Sequence, residues 1–320
     1  MEENTKIALQ KLNYCINRGL GKIIIPKSVR DILDNQVARI EMSSEDGVII
    51  NEFPDLFDND QLSVPEIQQL YENTRSRMLC TEMRREKNIE EIIHGTENML
   101  EKETINTISQ ENVDEDWIIR FFNSVQDISD KKMQNLWSKI LAKEIKNPNS
   151  FSLRSLDAMA KMSKNEAQLF EHMSKYIINF RGNLAIFNDD DLNKRYSINY
   201  INILALNECG IIDSNALMNL TLYIDNKIEM DTVIASKTQL LLAEAEEENE
   251  INISLFKLTR IGQDFFRIVD VQINESYFNE VAKCIAKKNK DISFSIHKVV
   301  SWNENGKIEY EKQGINISID

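Results

Sequence analysis

The sequence predicts a mainly α chain, a helical bundle followed by a smaller mixed α and β region, on three observations. Nine Gly and four Pro in 320 residues are too few for long flexible linkers, so helices should dominate. Met133, Leu136, Trp137, Ile140 and Leu141 recur at helical spacing behind Ser129, which assigns Lys132, Lys139, Lys143 and Glu144 to the wet face. Ser163 with Glu166 forms a capping box that opens a further helix. Between them, Asn149, Ser150 and Ser152 follow Pro148 and offer side-chain oxygens to the free amides of a next helix. Three helices with short connections pack as one bundle. Trp117 and Trp137 lie in apolar rows, which makes them core anchors in preference to stacking platforms for bases.

A hydrophobic content of 42% gives the chain a sizeable core, and its length suits two or three domains. The expected divisions are an N-terminal amphipathic arm with an acidic loop over 1–64, the central bundle over 65–181, a second region over 182–270 and a small α+β end over 271–320. A formal net charge of -14 disfavours nucleic acid as a partner, since phosphate binding rests on Lys and Arg. Cys15, Cys80, Cys209 and Cys284 are scattered without zinc spacing and read as reduced thiols. Met1 is followed by two glutamates in place of a basic, then apolar, leader, and no window is apolar for long enough to span a bilayer. The cytoplasm is the expected compartment.

Residues 6–25 set Ile7, Leu9, Leu12, Ile16, Leu20 and Ile23 against Lys6, Lys11, Arg18 and Lys22. Such a face can meet a second copy, a membrane surface or the chain's own bundle; the last is preferred, because amphipathic helices usually serve cores. The candidate self-association or membrane face is Leu12, Ile16, Leu20 and Ile23. Gly19 and Gly21 predict a turn before Pro26, followed by a short helix over 28–42 and an acidic loop over 43–64. Pro65 then opens a long helix to about Lys102, with Ile67, Leu70, Tyr71, Met78, Met83, Ile89, Ile92, Ile93 and Met99 on or near one face. Its middle carries Arg75, Arg77, Arg84, Arg85 and Lys87, a candidate nucleic-acid contact. Glu72, Glu82, Glu86, Glu90 and Glu91 lie in the same turns, so pairing on a solvated face is the preferred reading.

Beyond Gly182 the pattern changes. Residues 192–208 read as a helix stopped at Gly210, residues 221–224 and 239–245 as strands, and residues 246–249 as a turn into a strand over 251–258. Leu258, Thr259, Gly262 and Phe265 start another helix capped by Thr259. Helix, hairpin and helix in this order resemble a winged-helix-like region. Its wing would carry Glu244, Glu246, Glu247, Glu248 and Glu250, the wrong sign for phosphates, which favours a protein contact over DNA readout. A helix over 275–289, a strand over 292–302, an Asn-Gly turn within 303–306, a strand over 307–310 and an edge strand over 315–319 complete the chain.

The run Asp116, Trp117, Phe121, Phe122, then Ser129, Asp130, Met133, Gln134, Leu136, Trp137, Ile140, Leu141, Ala142 and Glu144, then Pro148 with residues 150–154, resembles the bacterial family catalogued as domain of unknown function 2806. Arg84, Arg85, Asn88, Ile89 and Glu90 resemble it upstream. The resemblance implies a fold and a bacterial origin and brings no catalytic residue. Gly19-Leu20-Gly21 leading to Pro26 is similar to that family's opening and to proteins grouped under abortive-infection alpha, which implies a link to phage defence.

No constellation for catalysis stands out. His94, His172 and His297 are separate, and His172 has no second histidine four residues away to make a metal pair. The chain contains no Walker loop, dinucleotide glycine motif, nucleophile elbow or zinc knuckle. Residues 114–116 and 189–191 are acidic triplets that could hold a hard cation weakly, though both sit where aspartates complement a helix dipole. The expectation is a non-enzymatic interaction or regulatory protein without metal or cofactor, its partner a protein or a second copy of itself. A nucleic-acid-binding regulator and a membrane-touching effector are the alternatives.

Overall fold

The structure is a computed structural model that describes residues 3–20, 64–102, 108–213, 218–224, 231–302 and 308–318. The helix expected over 28–42, nearly all of the acidic loop, Ile23 and the turn within 303–306 lie outside them. The chain forms two compact units, Met1–Phe151 and Ser152–Asp320.

Among the described residues, the first unit holds α1 (Glu3–Gly19), α2 (Val64–Lys102), α3 (Glu115–Val125) and α4 (Lys131–Lys146). Asp114 caps α3 by accepting the amide of Trp117. Asp130, one residue after the expected Ser129, caps α4 through the amides of Lys132 and Met133. Trp117 stacks on Phe121 at 5.2 Å, and Phe121 meets Trp137 edge to face at 5.5 Å. Burying Phe121 alone is worth roughly 3 kcal/mol. The Trp117 indole donates to the Phe151 carbonyl, so the core also fixes the end of the unit.

Small residues let α2 and α4 close on each other. The Ser138 hydroxyl donates to the Ile92 carbonyl at 3.0 Å and the Thr96 hydroxyl to the Ser138 carbonyl at 3.3 Å. A Cβ on Gly95 would stand 2.4 Å from Ser138 Oγ, so a larger residue there would force that hydroxyl to move off the Ile92 carbonyl. Glu144, expected on the wet face, is buried: its two oxygens accept the amides of Asn149 and Phe151. A carboxylate that saturates backbone donors belongs inside, and periodicity alone does not register that demand.

The second unit begins with α5 (Leu153–Lys161) and α6 (Lys164–Met173), the latter opened by the Ser163 and Glu166 capping box. Next come β1 (Ile177–Phe180), β2 (Asn183–Phe187), α7 (Asp190–Arg195) and α8 (Tyr200–Glu208). Then follow β3 (Met218–Ile224), β4 (Asp231–Ala235), β5 (Gln239–Glu244), β6 (Asn249–Lys257), α9 (Arg260–Phe266) and α10 (Glu275–Lys288). The unit ends in β7 (Ser293–Trp302), β8 (Ile308–Tyr310) and β9 (Ile315–Asn316).

These strands form one nine-stranded antiparallel sheet in the order β3-β6-β2-β1-β4-β5-β7-β8, with β9 also on β7. That overturns the expectation of a mainly α fold with a winged-helix-like region and a small α+β end. A wing requires β5 to pair with β6. Instead β5 lies between β4 and β7, and β6 between β3 and β2. The reason is legible in Leu240, Leu241, Leu242 and Ala243, four consecutive buried residues that need cover on both faces, as an interior strand has and a wing lacks. Leu240 and Leu242 join Ala235 and Val299 on one face. On the other, Gln239 donates to Asn279 of α10 at 3.2 Å.

The helix expected over 192–208 is α7 and α8, broken where Ser197 takes a φ of 57° and Asn199 caps anew. The β1–β2 hairpin, unforeseen, turns through Arg181 and Gly182, both at positive φ. Arg181 donates to the carbonyls of Thr232 and Tyr223. In α9 the Thr259 cap is as expected, and Gly262 admits the Ile211 carbonyl to 2.3 Å from where a Cβ would stand.

Candidate functional site

Helix α2 runs for 39 residues because Pro65 suits a first turn, Glu66 complements the helix dipole and no glycine intervenes before Gly95. Its second half is held by the bundle: Asn88, Ile89, Ile92, Thr96 and Leu100 are buried. The Asn88 amide donates to the Gln126 carbonyl at 2.9 Å. Traced back from Asn88 in steps of three and four, the same stripe passes Arg85, Thr81, Met78, Thr74 and Tyr71.

Among the described residues, no bundle partner covers that continuation. Every described side chain between positions 65 and 84 is exposed or half-exposed. Leu70 is 49% exposed, Met78 62%, Leu79 57% and Met83 73%. These twenty residues extend about 30 Å. A helix of that length gains little stability without packing, so a face of this kind calls for a partner.

The charges along α2 are segregated. Positions 64–74 hold Glu66 and Glu72 and no Lys or Arg, whereas positions 75–85 hold Arg75, Arg77, Arg84 and Arg85 against Glu82. The structure does not gather the five predicted cations on one side. At about 100° per residue only Arg77 and Arg84 share a side closely, with Arg75 roughly 160° from Arg77. Arg85 donates to both oxygens of Asp127 and pairs with Glu82 at 2.9 Å, and Arg84 reaches Asp127 at 3.7 Å. The Arg85 hydrogen bonds hold the Asp127 carboxyl below its usual range. Lys87 is exposed.

The N-terminal candidates sit differently. Leu12 is buried, Ile16 and Leu20 are half-buried, and α1 packs against α3. Lys11, beside them, is drawn in and donates to the Ser109 carbonyl at 3.2 Å. Desolvation by burial pushes the Lys11 ammonium down, against the pull of Cys15 and Glu144. No described helix is long and apolar enough to cross a membrane. Among the described residues, no group of three or more His, Cys, Asp or Glu side chains is placed to hold a metal ion.

The matched stretch brings these observations together: the model of the family described as protein of unknown function (DUF2806) matches residues 72–282. The chain belongs to this family. No curated protein and no solved structure matches it. The DUF2806 stretch takes in most of α2, the Trp-rich core and the sheet through β6 into α10. Glu144, Asn88 and Gly95 thus carry structure within it. Sequence reasoning placed Leu70, Met78 and Met83 on or near one face of a long helix; all three are exposed, and at about 100° per residue Met83 stands roughly 140° from Met78. The segregation of acid and base along 64–85 was the available signal.

Proposed function

We propose that this DUF2806 protein is an interaction protein that self-associates by pairing the first half of α2, antiparallel, with that of a second copy. The observation that carries the reading is the charge segregation beside uncovered Leu70 and Met78. Antiparallel pairing sets Glu66 and Glu72 of each copy against the arginines of the other, whereas parallel pairing opposes like charges. The contact is isologous, so it closes as a dimer. A setting in phage defence draws its support from the resemblance of positions 19–26 alone.

Sedimentation equilibrium of the full chain tests the reading at concentrations on the order of 1–100 μM, where an association of about −8 kcal/mol titrates. A dimer is expected, and Leu70→Glu with Met78→Glu converts it to a monomer with an unchanged circular dichroism spectrum, since both side chains are exposed. A wild-type monomer throughout that range, or a dimer indifferent to both substitutions, contradicts it.

A further inference from the structure

The β3–β6 ribbon has one apolar face and one polar face. Leu222, Ile224, Ile251, Ile253 and Leu255 are buried. The polar face pairs Asn219 with Ser254, Thr221 with Asn252 and Tyr223 with Glu250 across the strands. One end of that face is partly enclosed. Asn188, following β2, and the C-terminal end of α10, with Lys288 and Asn289, close it into a cleft of about 240 Å³. Phe187 and Ile285 form its floor, both buried, with the Lys288 ammonium over the Phe187 ring at 5.6 Å.

The polar groups of the cleft are already oriented. Thr221 Oγ1 donates to Asn252 Oδ1 at 2.7 Å, which leaves the Asn252 NH2 as a donor. Asn289 Nδ2 donates to the Ile285 carbonyl at 2.7 Å, which leaves Asn289 Oδ1 as an acceptor. Ser254 receives the Asn188 amide at 3.3 Å and keeps its own hydroxyl hydrogen. Among the described lining residues the cation is Lys288, which donates to Asp189 Oδ2 at 3.0 Å, so its charge is matched within the protein.

We propose that this cleft binds one neutral pyranose ring, a monosaccharide or a single sugar unit of a larger glycan. A sugar hydroxyl both donates and accepts, which suits preset carboxamides and a hydroxyl. A phosphate needs an uncommitted cation, and Lys288 is engaged by Asp189. An apolar ligand strands the carboxamides without partners. The volume lies below the usual range for drug-sized ligands and admits a single ring. Tyr223, 67% exposed on the same face, offers a second ring a place to stack.

Saturation-transfer NMR on the full chain, with D-glucose, D-galactose and N-acetyl-D-glucosamine as probes and inorganic phosphate as competitor, decides the matter. Transfer to the ring protons of at least one sugar is expected, undisturbed by phosphate. Asn219→Ala with Asn252→Ala weakens binding by roughly tenfold or more through lost hydrogen bonds. Both positions are exposed, and circular dichroism checks the fold. Ile201→Ala, remote in sequence and exposed, gives no loss. Absence of transfer from all three sugars, transfer unchanged in the double variant, or displacement by phosphate overturns the proposal.

Discussion

Glu144, buried in α4, accepts the Asn149 amide at 2.6 Å and the Phe151 amide at 3.0 Å, and so ties the loop after its own helix back onto that helix. Asn149 sits at a φ of 67°, a conformation the carboxylate helps to hold. Hydrogen bonds to a charged group are each worth about 1.5–3 kcal/mol. Glu144→Ala is expected to destabilise the chain by about 2–4 kcal/mol in urea unfolding, and Glu144→Gln by less, because one amide still finds an acceptor.

Burial pushes the Cys15 thiol up from 9.0 to about 12, with Lys11 opposing and Glu144 adding to the shift. The folded state therefore keeps a proton that the unfolded chain releases. The stabilisation is complete below pH 9 and is lost as pH rises toward 12. Lys11, pushed down by burial, acts with the opposite sign below 10.5. Comparing wild type with Cys15→Ala isolates the thiol, whose slope is at most about 1.4 kcal/mol per pH unit. In the native protein at pH 8, Cys80, the one exposed cysteine of the four, is expected to react first with a thiol reagent and Cys15 last.

Gly262 lets α9 approach the Ile211 carbonyl, and a Cβ there would stand 2.3 Å from that oxygen. The obstacle is backbone and cannot swing aside. Gly262→Ala is expected to destabilise by about 1–3 kcal/mol, and Gly262→Val by more, measured by thermal unfolding.

The first unit was largely legible. Periodicity located α4, Pro65 located the start of α2, and Trp117 and Trp137 proved to be core anchors, because these signals are local. Glu144 was misplaced, since its partners lie across a turn that periodicity does not describe. The Ser163 box and the Thr259 cap were equally local and equally readable. The sheet was not. Strands β5 and β6 are neighbours in sequence and strangers in the sheet, and only the unbroken burial of residues 240–243 shows that β5 is interior. Asn188, Asn252 and Asn289 come together through such nonlocal pairing, so no spacing in the sequence announces their cleft.

Salt separates the contributions to pairing along α2. If the arginines and glutamates orient the partners, raising ionic strength from about 0.05 to 0.5 M is expected to weaken the dimer severalfold by shortening the Debye length. Leu70 and Met78 should sustain a residual association, which sedimentation velocity across the salt series reads directly.

Exchange of charge between two copies tests the antiparallel dimer most directly. Glu66→Lys with Glu72→Lys makes the first half of α2 wholly basic at its ends, and Arg77→Glu with Arg84→Glu makes it predominantly acidic. Each variant alone is expected to sediment as a monomer, and an equimolar mixture as a heterodimer. Variants that dimerise alone as wild type does, or a mixture that stays monomeric, would contradict the account.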